Sequence, residues 1–136
     1  YTFSDIKIGL EESFKVTIDS SKMDNFLELS KDINPLHVNS GYAKEKGFKD
    51  RVVYGLLTSS FYSTLVGVYL PGEYCILQGL DIQFSKPVYI NDTITITGKV
   101  SYINEAYKQI EIKAIIVNQD YKKVSKATIK VGLIDE

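Results

Sequence analysis

His37 is the only histidine in the chain, and Asp32 stands five positions before it in the run Ser30-Lys31-Asp32-Ile33-Asn34-Pro35-Leu36-His37. A carboxylate and an imidazole brought into one pocket form an acid–base pair, each able to take or give a proton. On a regular helix, residues five apart point about 140° away from one another. Pro35 forbids that regular helix, because its ring clashes with the preceding turn and it has no N–H to donate. The chain must turn instead, and a turn can bring the two groups together. Asn34 can hold such a turn by bonding its own backbone. The same residues also fit a bland reading. A lone histidine is usually structural, and an Asp near a helix end is usually a cap or a solvated charge. Residue chemistry alone leaves both readings open.

The elements around this run must position it. Glu12 to Ile18 alternates polar residues with Phe14, Val16 and Ile18, the pattern of a strand. Asp19, Ser20 and Ser21 offer caps for a short helix from about Ser21 to Lys31, with Met23, Phe26 and Leu27 at helical spacing. Asn34-Pro35 ends it, since the residue before a proline is pushed out of the α region. Asn39 or Ser40 caps another short helix, ended by Gly47. The segment Leu56 to Leu70 is apolar, helical in spacing and free of charge, so it should be wrapped by the rest of the protein. Pro71-Gly72 ends it. Four strands follow: Tyr74 to Phe84, Thr93 to Ile103, one carrying Ile110, Ile112, Ala114 and Ile116, and Val124 to Leu133. Short turns between them predict an antiparallel meander. The order is α+β, with the sheet expected to curl around the uncharged helix.

Composition narrows the function classes. The 136 residues fit a single domain spanning 1–136, near the globular average at 44% hydrophobic and 24% charged. A net charge of -1 gives no general attraction to nucleic acid or an anionic membrane. Cys75 is the one cysteine and reads as a small apolar core residue, so neither a disulfide nor a multi-thiolate metal site is expected. No apolar run is long enough to span a membrane, and Tyr1-Thr2-Phe3-Ser4 does not resemble a signal peptide. Cytoplasm is the expected location. The chain does not begin with Met, so a leading segment could have been removed.

With the order of elements in place, a family resemblance appears. The run Ser30 to His37, then Tyr42-Ala43 and Gly47-Phe48, resembles the hydratase motif of MaoC-like (R)-specific enoyl-CoA hydratases. Val53-Tyr54-Gly55-Leu56-Leu57 is similar to the start of that family's central helix. Leu70-Pro71-Gly72, Asp81 to Val88 and Asn91-Asp92-Thr93 are similar to its later landmarks. The resemblance runs from about Ile6 to Val131. It implies a hotdog fold, a curved antiparallel sheet wrapped around one long helix, usually paired as a dimer, here a homodimer or higher homo-oligomer. It also implies hydration of a trans-2-enoyl thioester, or dehydration of an (R)-3-hydroxyacyl thioester, without cofactor or metal. The family's catalytic Asp and His match Asp32 and His37, and its backbone oxyanion donor matches the Gly55 N–H.

Three positions depart from the family pattern. Lys31 stands where many relatives have Gly, and would be strained if the backbone there takes positive φ. Tyr54 stands where the family often has His, and Asn39 where it often has Asp. Asn34, Tyr54, Phe61 and Leu65 are candidates for substrate contact, with Leu80 and Ile82 beside them as acyl-tunnel walls. The implied partner is an acyl thioester of CoA or acyl carrier protein, which composition does not separate. Two alternatives stand beside hydration. The hotdog fold also hosts acyl thioesterases, and many of these carry an acidic residue on the central helix, which Leu56 to Leu70 lacks. A non-catalytic subunit of a heteromer would be expected to lose the acid–base pair, which this chain keeps.

Overall fold

In the computed structural model, which describes residues 1–135, strand β1 covers Glu11–Thr17 and helix α1 covers Ser20–Ser30. Asp19 starts α1, its carboxylate accepting the Lys22 N–H at 2.9 Å and so satisfying one orphan donor of the first turn. Two short helices follow, α2 at Pro35–Val38 and α3 at Ser40–Glu45. Asn34 caps the first and Asn39 the second, accepting from the Leu36 and Tyr42 N–H groups at 3.0 and 2.9 Å. Pro35 does more than stop α1. It occupies the start of α2, where its missing N–H costs nothing and its fixed φ suits a helix.

The uncharged segment forms α4, Gly55–Thr64, and runs on into a π turn at Leu65–Tyr69. There the Leu70 N–H reaches back to the Leu65 carbonyl at 2.8 Å, so the expected single helix changes pitch at Leu65. Strands β2 (Cys75–Phe84), β3 (Thr93–Asn104), β4 (Gln109–Val117) and β5 (Lys123–Leu133) complete the chain.

All pairings are antiparallel, in the order β1-β3-β4-β5-β2. This corrects the expected four-strand meander. β3, β4 and β5 do follow one another through short turns, but β2 lies at the far edge against β5, and β1 takes the place beside β3. The reason is where the chain goes after β2. The Val53 N–H donates to the Val88 carbonyl at 2.8 Å, and Val52 bridges Tyr89. The segment leading into α4 thus captures the β2–β3 connection and prevents a tight hairpin.

The inward faces of the strands follow the alternation read from the sequence. Ile94, Ile96, Ile110, Ile112, Ile116 and Ile129 are fully buried. A row of small residues crosses the sheet, Gly98 opposite Ala114 and Ala114 opposite Ala127. The π turn lies against this row. A β-carbon on Gly98 would sit 2.6 Å from Leu65 Cδ2 and 2.9 Å from Ile112 Cγ2, so only glycine admits the helix so closely.

The sheet and α4 therefore form the hotdog arrangement, but the helix is not wrapped on every side. Leu57, Tyr62, Leu65 and Val66 are buried, whereas Leu56 is 69% and Val68 65% exposed. Leu56 on α4 and Val68 in the π turn thus have little cover from the described residues. Cys75 is partly buried against the core, and burial pushes its thiol pKa up.

Candidate active site

His37 lies on α2, half-buried, with Nδ1 2.7 Å from the Val52 carbonyl. A carbonyl oxygen only accepts, so Nδ1 carries the proton and Nε2 is left to take or hold a mobile one. The Val52 N–H in turn donates to the Leu36 carbonyl at 3.1 Å. Two bonds therefore strap α2 to the strand-like segment that leads into α4.

Asp32 sits in the exposed loop between α1 and α2. Its Oδ1 accepts the Asn34 N–H at 3.1 Å, while Asn34 caps α2, so both Asx side chains are used to shape the turn. Lys31 opens the loop with φ 58° and ψ 23°, the left-handed conformation that a glycine would take without cost and in which a lysine is strained, as expected from the sequence. Its N–H still closes α1 on the Leu27 carbonyl at 2.8 Å.

Gly55 is the first residue of α4. Tyr54 precedes it as N-cap but gives no side-chain hydrogen bond to the helix end. The first-turn N–H groups are thus left uncapped by a side chain, and the helix dipole adds positive potential there. A β-carbon on Gly55 would lie 3.0 Å from the exposed Phe84 ring, a tight contact to which the ring would have to yield.

His37 and Gly55 line one cavity of about 290 Å³, together with Phe48, Thr58, Phe84, Lys86 and Val88 among others. The walls are chiefly apolar with a few convergent polar groups, the usual make-up of a small-molecule site. Sequence reasoning did not single out Phe48, Thr58 or Phe84 as site residues, though Phe48 and Phe84 stood within the quoted landmarks. Thr58 lies within the uncharged segment Leu56 to Leu70, where its residue type gives no sign of a place in the site.

The other candidates lie elsewhere. Asp32 and Asn34 are exposed beside the cavity's histidine rather than in its lining. Leu65 is fully buried on Gly98, and Phe61 packs partly buried against the core. Neither lines the cavity, because the face of α4 turned to it is that of Gly55 and Thr58. Leu80 and Ile82, the other suggested tunnel walls, are also outside the lining.

Tyr54 does not line the cavity either; it is 2% exposed. Its ring centroid is 4.2 Å from that of His37 and 4.7 Å from that of Phe26. Its hydroxyl donates to the Asp32 carbonyl at 2.8 Å. Burial and then the nearby Asp32 charge push the phenol pKa up, with Arg51 opposing, so the hydroxyl remains a donor. Among the described residues, no group of three His, Cys, Asp or Glu is placed to hold a metal ion. No helix among them is long and apolar enough to cross a membrane.

Comparison with known proteins agrees with this geometry. Residues 4–125 match the MaoC like domain family. An (R)-specific enoyl-CoA hydratase of Rhodospirillum rubrum is 41% identical over 99 residues, covering 73% of this chain and 69% of that protein. A second (R)-specific enoyl-CoA hydratase, from Aeromonas caviae, is 30% identical over 100 residues, 74% of this chain and 75% of that one. The solved structure of an (R)-hydratase from A. caviae superposes with a TM-score of 0.90 at 26% identity, covering 94% of this chain and 97% of that one. An R-hydratase of Pseudomonas aeruginosa, 23% identical, shares the fold with a TM-score of 0.92 over 99% of this chain and 86% of that chain. By its sequence match and its hotdog architecture alike, the chain belongs to the MaoC-like domain family.

Proposed function

We propose that this protein adds water across the double bond of a trans-2-enoyl thioester, or removes it from an (R)-3-hydroxyacyl thioester. The observation that carries this reading is one cavity flanked by a histidine with a free Nε2 and by an uncapped helix N-terminus at Gly55. Hydration needs three things of a site. A water must lose a proton as its oxygen bonds C3, C2 must gain one, and the thioester oxygen must be supported while it carries enolate charge. His37 Nε2 and the Asp32 carboxylate hold the water between them and exchange the two protons, so the proton taken from water is balanced by the one given to C2. The Gly55 N–H supports the oxygen, a role whose loss typically costs about 2.7–4 kcal/mol. The names of the R. rubrum and A. caviae relatives support the same reaction and its (R) stereochemistry.

The assay is a panel of trans-2-enoyl-CoA esters of increasing length, followed by ultraviolet loss of the conjugated double bond. The expected result is hydration to the (R)-3-hydroxyacyl product without release of free thiol. Free CoA from saturated acyl-CoA would instead indicate a thioesterase.

The working unit in this reading is a homodimer. The edge strand β2 carries Ile76, Leu77, Leu80 and Phe84 at 41–56% exposure, and Leu56 of α4 and Val68 of the π turn are exposed as well. An open strand edge with exposed apolar residues calls for a partner.

A further inference from the structure

We infer that Tyr54 is a positioning residue, a clamp that holds the Asp32 loop against His37 for the reaction; the inference rests on the hydration reading above. Its ground is how little else fixes that loop. Lys31, Asp32, Ile33, Asn34 and Pro35 are all exposed, and Ile33 is 75% exposed, so packing does not hold them. The loop's own hydrogen bonds are short in range. Lys31 N–H goes to the Leu27 carbonyl, Asp32 N–H to Ser30 Oγ and Asn34 N–H to Asp32 Oδ1. Asn34 accepts from the Leu36 and His37 N–H groups. These bonds shape the turn without saying where it sits on the protein. Among the described residues, the Tyr54 hydroxyl makes the one long-range hydrogen bond to residues 31–34, onto the Asp32 carbonyl at 2.8 Å.

The same side chain also backs the imidazole, with its ring 4.2 Å from that of His37. Tyr54 in turn is fixed by burial, by Phe26 and by its place directly before Gly55. One rigid residue therefore touches both proposed proton carriers and leads into the proposed oxyanion donor.

Tyr54→Phe keeps the ring against His37 and removes only the hydroxyl. Tyr62→Phe is the control, because it deletes a comparable buried hydroxyl bond, to Ser125 Oγ at 2.7 Å, away from the loop. The clamp predicts that Tyr54→Phe lowers kcat roughly ten- to a hundredfold, since small misplacement of a catalytic group is costly. KM should stay within about threefold, because the Asp32 carboxylate acts on water and not on substrate binding. Tyr62→Phe should leave kcat within about twofold of wild type, which separates positioning from a general loss of stability. A kcat for Tyr54→Phe within about twofold of wild type, or equal losses in both variants, overturns the inference. If the wild-type protein hydrates no enoyl thioester, the functional reading itself has failed, and amide hydrogen exchange then tests the clamp alone. Faster exchange at Asn34 and Leu36 in Tyr54→Phe but not in Tyr62→Phe supports it; unchanged exchange in Tyr54→Phe refutes it.

Discussion

Two residues at the ends of the site define opposite uses of backbone conformation. Lys31 adopts the left-handed region that L residues enter at a cost of roughly 1–2 kcal/mol. Its Nζ meets Glu28 at 2.9 Å, but both side chains are highly exposed, so that ion pair returns little. Glycine would remove the strain while giving up some unfolded-state entropy. Lys31→Gly is therefore expected to raise stability by about 0.5–1 kcal/mol, read from urea unfolding. A loss of stability would show that this conformation carries no strain. Gly55 is the converse case, where an N–H must stay unencumbered. Proline suits the first position of a helix, and Tyr54, at φ -54° and ψ 127°, already has the backbone expected before a proline. Gly55→Pro removes the N–H but also adds a β-carbon against Phe84, so its reference is Gly55→Ala, which adds the β-carbon and keeps the N–H; kcat should fall by a further factor of about 10²–10³ from Gly55→Ala to Gly55→Pro. At this scale the sequence made Asn34 legible as the residue that shapes the turn, because its side chain bonds the local backbone. It said less about Tyr54, whose burial and reach to Asp32 depend on contacts from a distant segment.

The elements were legible where periodicity is strong and misread where a long-range contact decides. Alternation in β3, β4 and β5 placed the inward isoleucines correctly, because one buried face imposes a period of two. The position of β2 was not legible, since the backbone bonds from Val53 to Val88 that redirect the chain leave no local signature. The π turn after α4 is similar: its cause is the fit of Leu65 onto Gly98, a match between residues far apart in the chain. That fit makes a sharp expectation. Gly98→Ala would put a β-carbon 2.6 Å from Leu65 Cδ2 with no exposed side to yield toward. Overpacking of this kind costs typically 1–3 kcal/mol, measurable as a lowered urea midpoint. A neutral substitution would mean the helix can lift from the sheet freely.

For the whole molecule, the uncharged segment that the sequence led us to expect covered is partly open, with Leu56 and Val68 exposed, and β2 carries further exposed apolar residues. An uncharged helix requires cover, but sequence pattern does not say whether that cover comes from the same chain. The homodimer reading expects about twice the chain mass in sedimentation equilibrium, and Leu77→Lys with Leu80→Lys should shift the protein toward monomer. A wild-type monomer at micromolar concentration would contradict it. Proposed hydration rests on Asp32 and His37 together with the Gly55 N–H. Its most direct measurement is the steady-state hydration of a short trans-2-enoyl-CoA by wild type, Asp32→Asn and His37→Ala, followed at the ultraviolet band of the conjugated thioester. Turnover by wild type and a fall of about 10²–10⁴-fold in each variant are expected, with His37→Ala assayed below its melting temperature because it also loses the bond to Val52. Unimpaired turnover in both variants would contradict these roles.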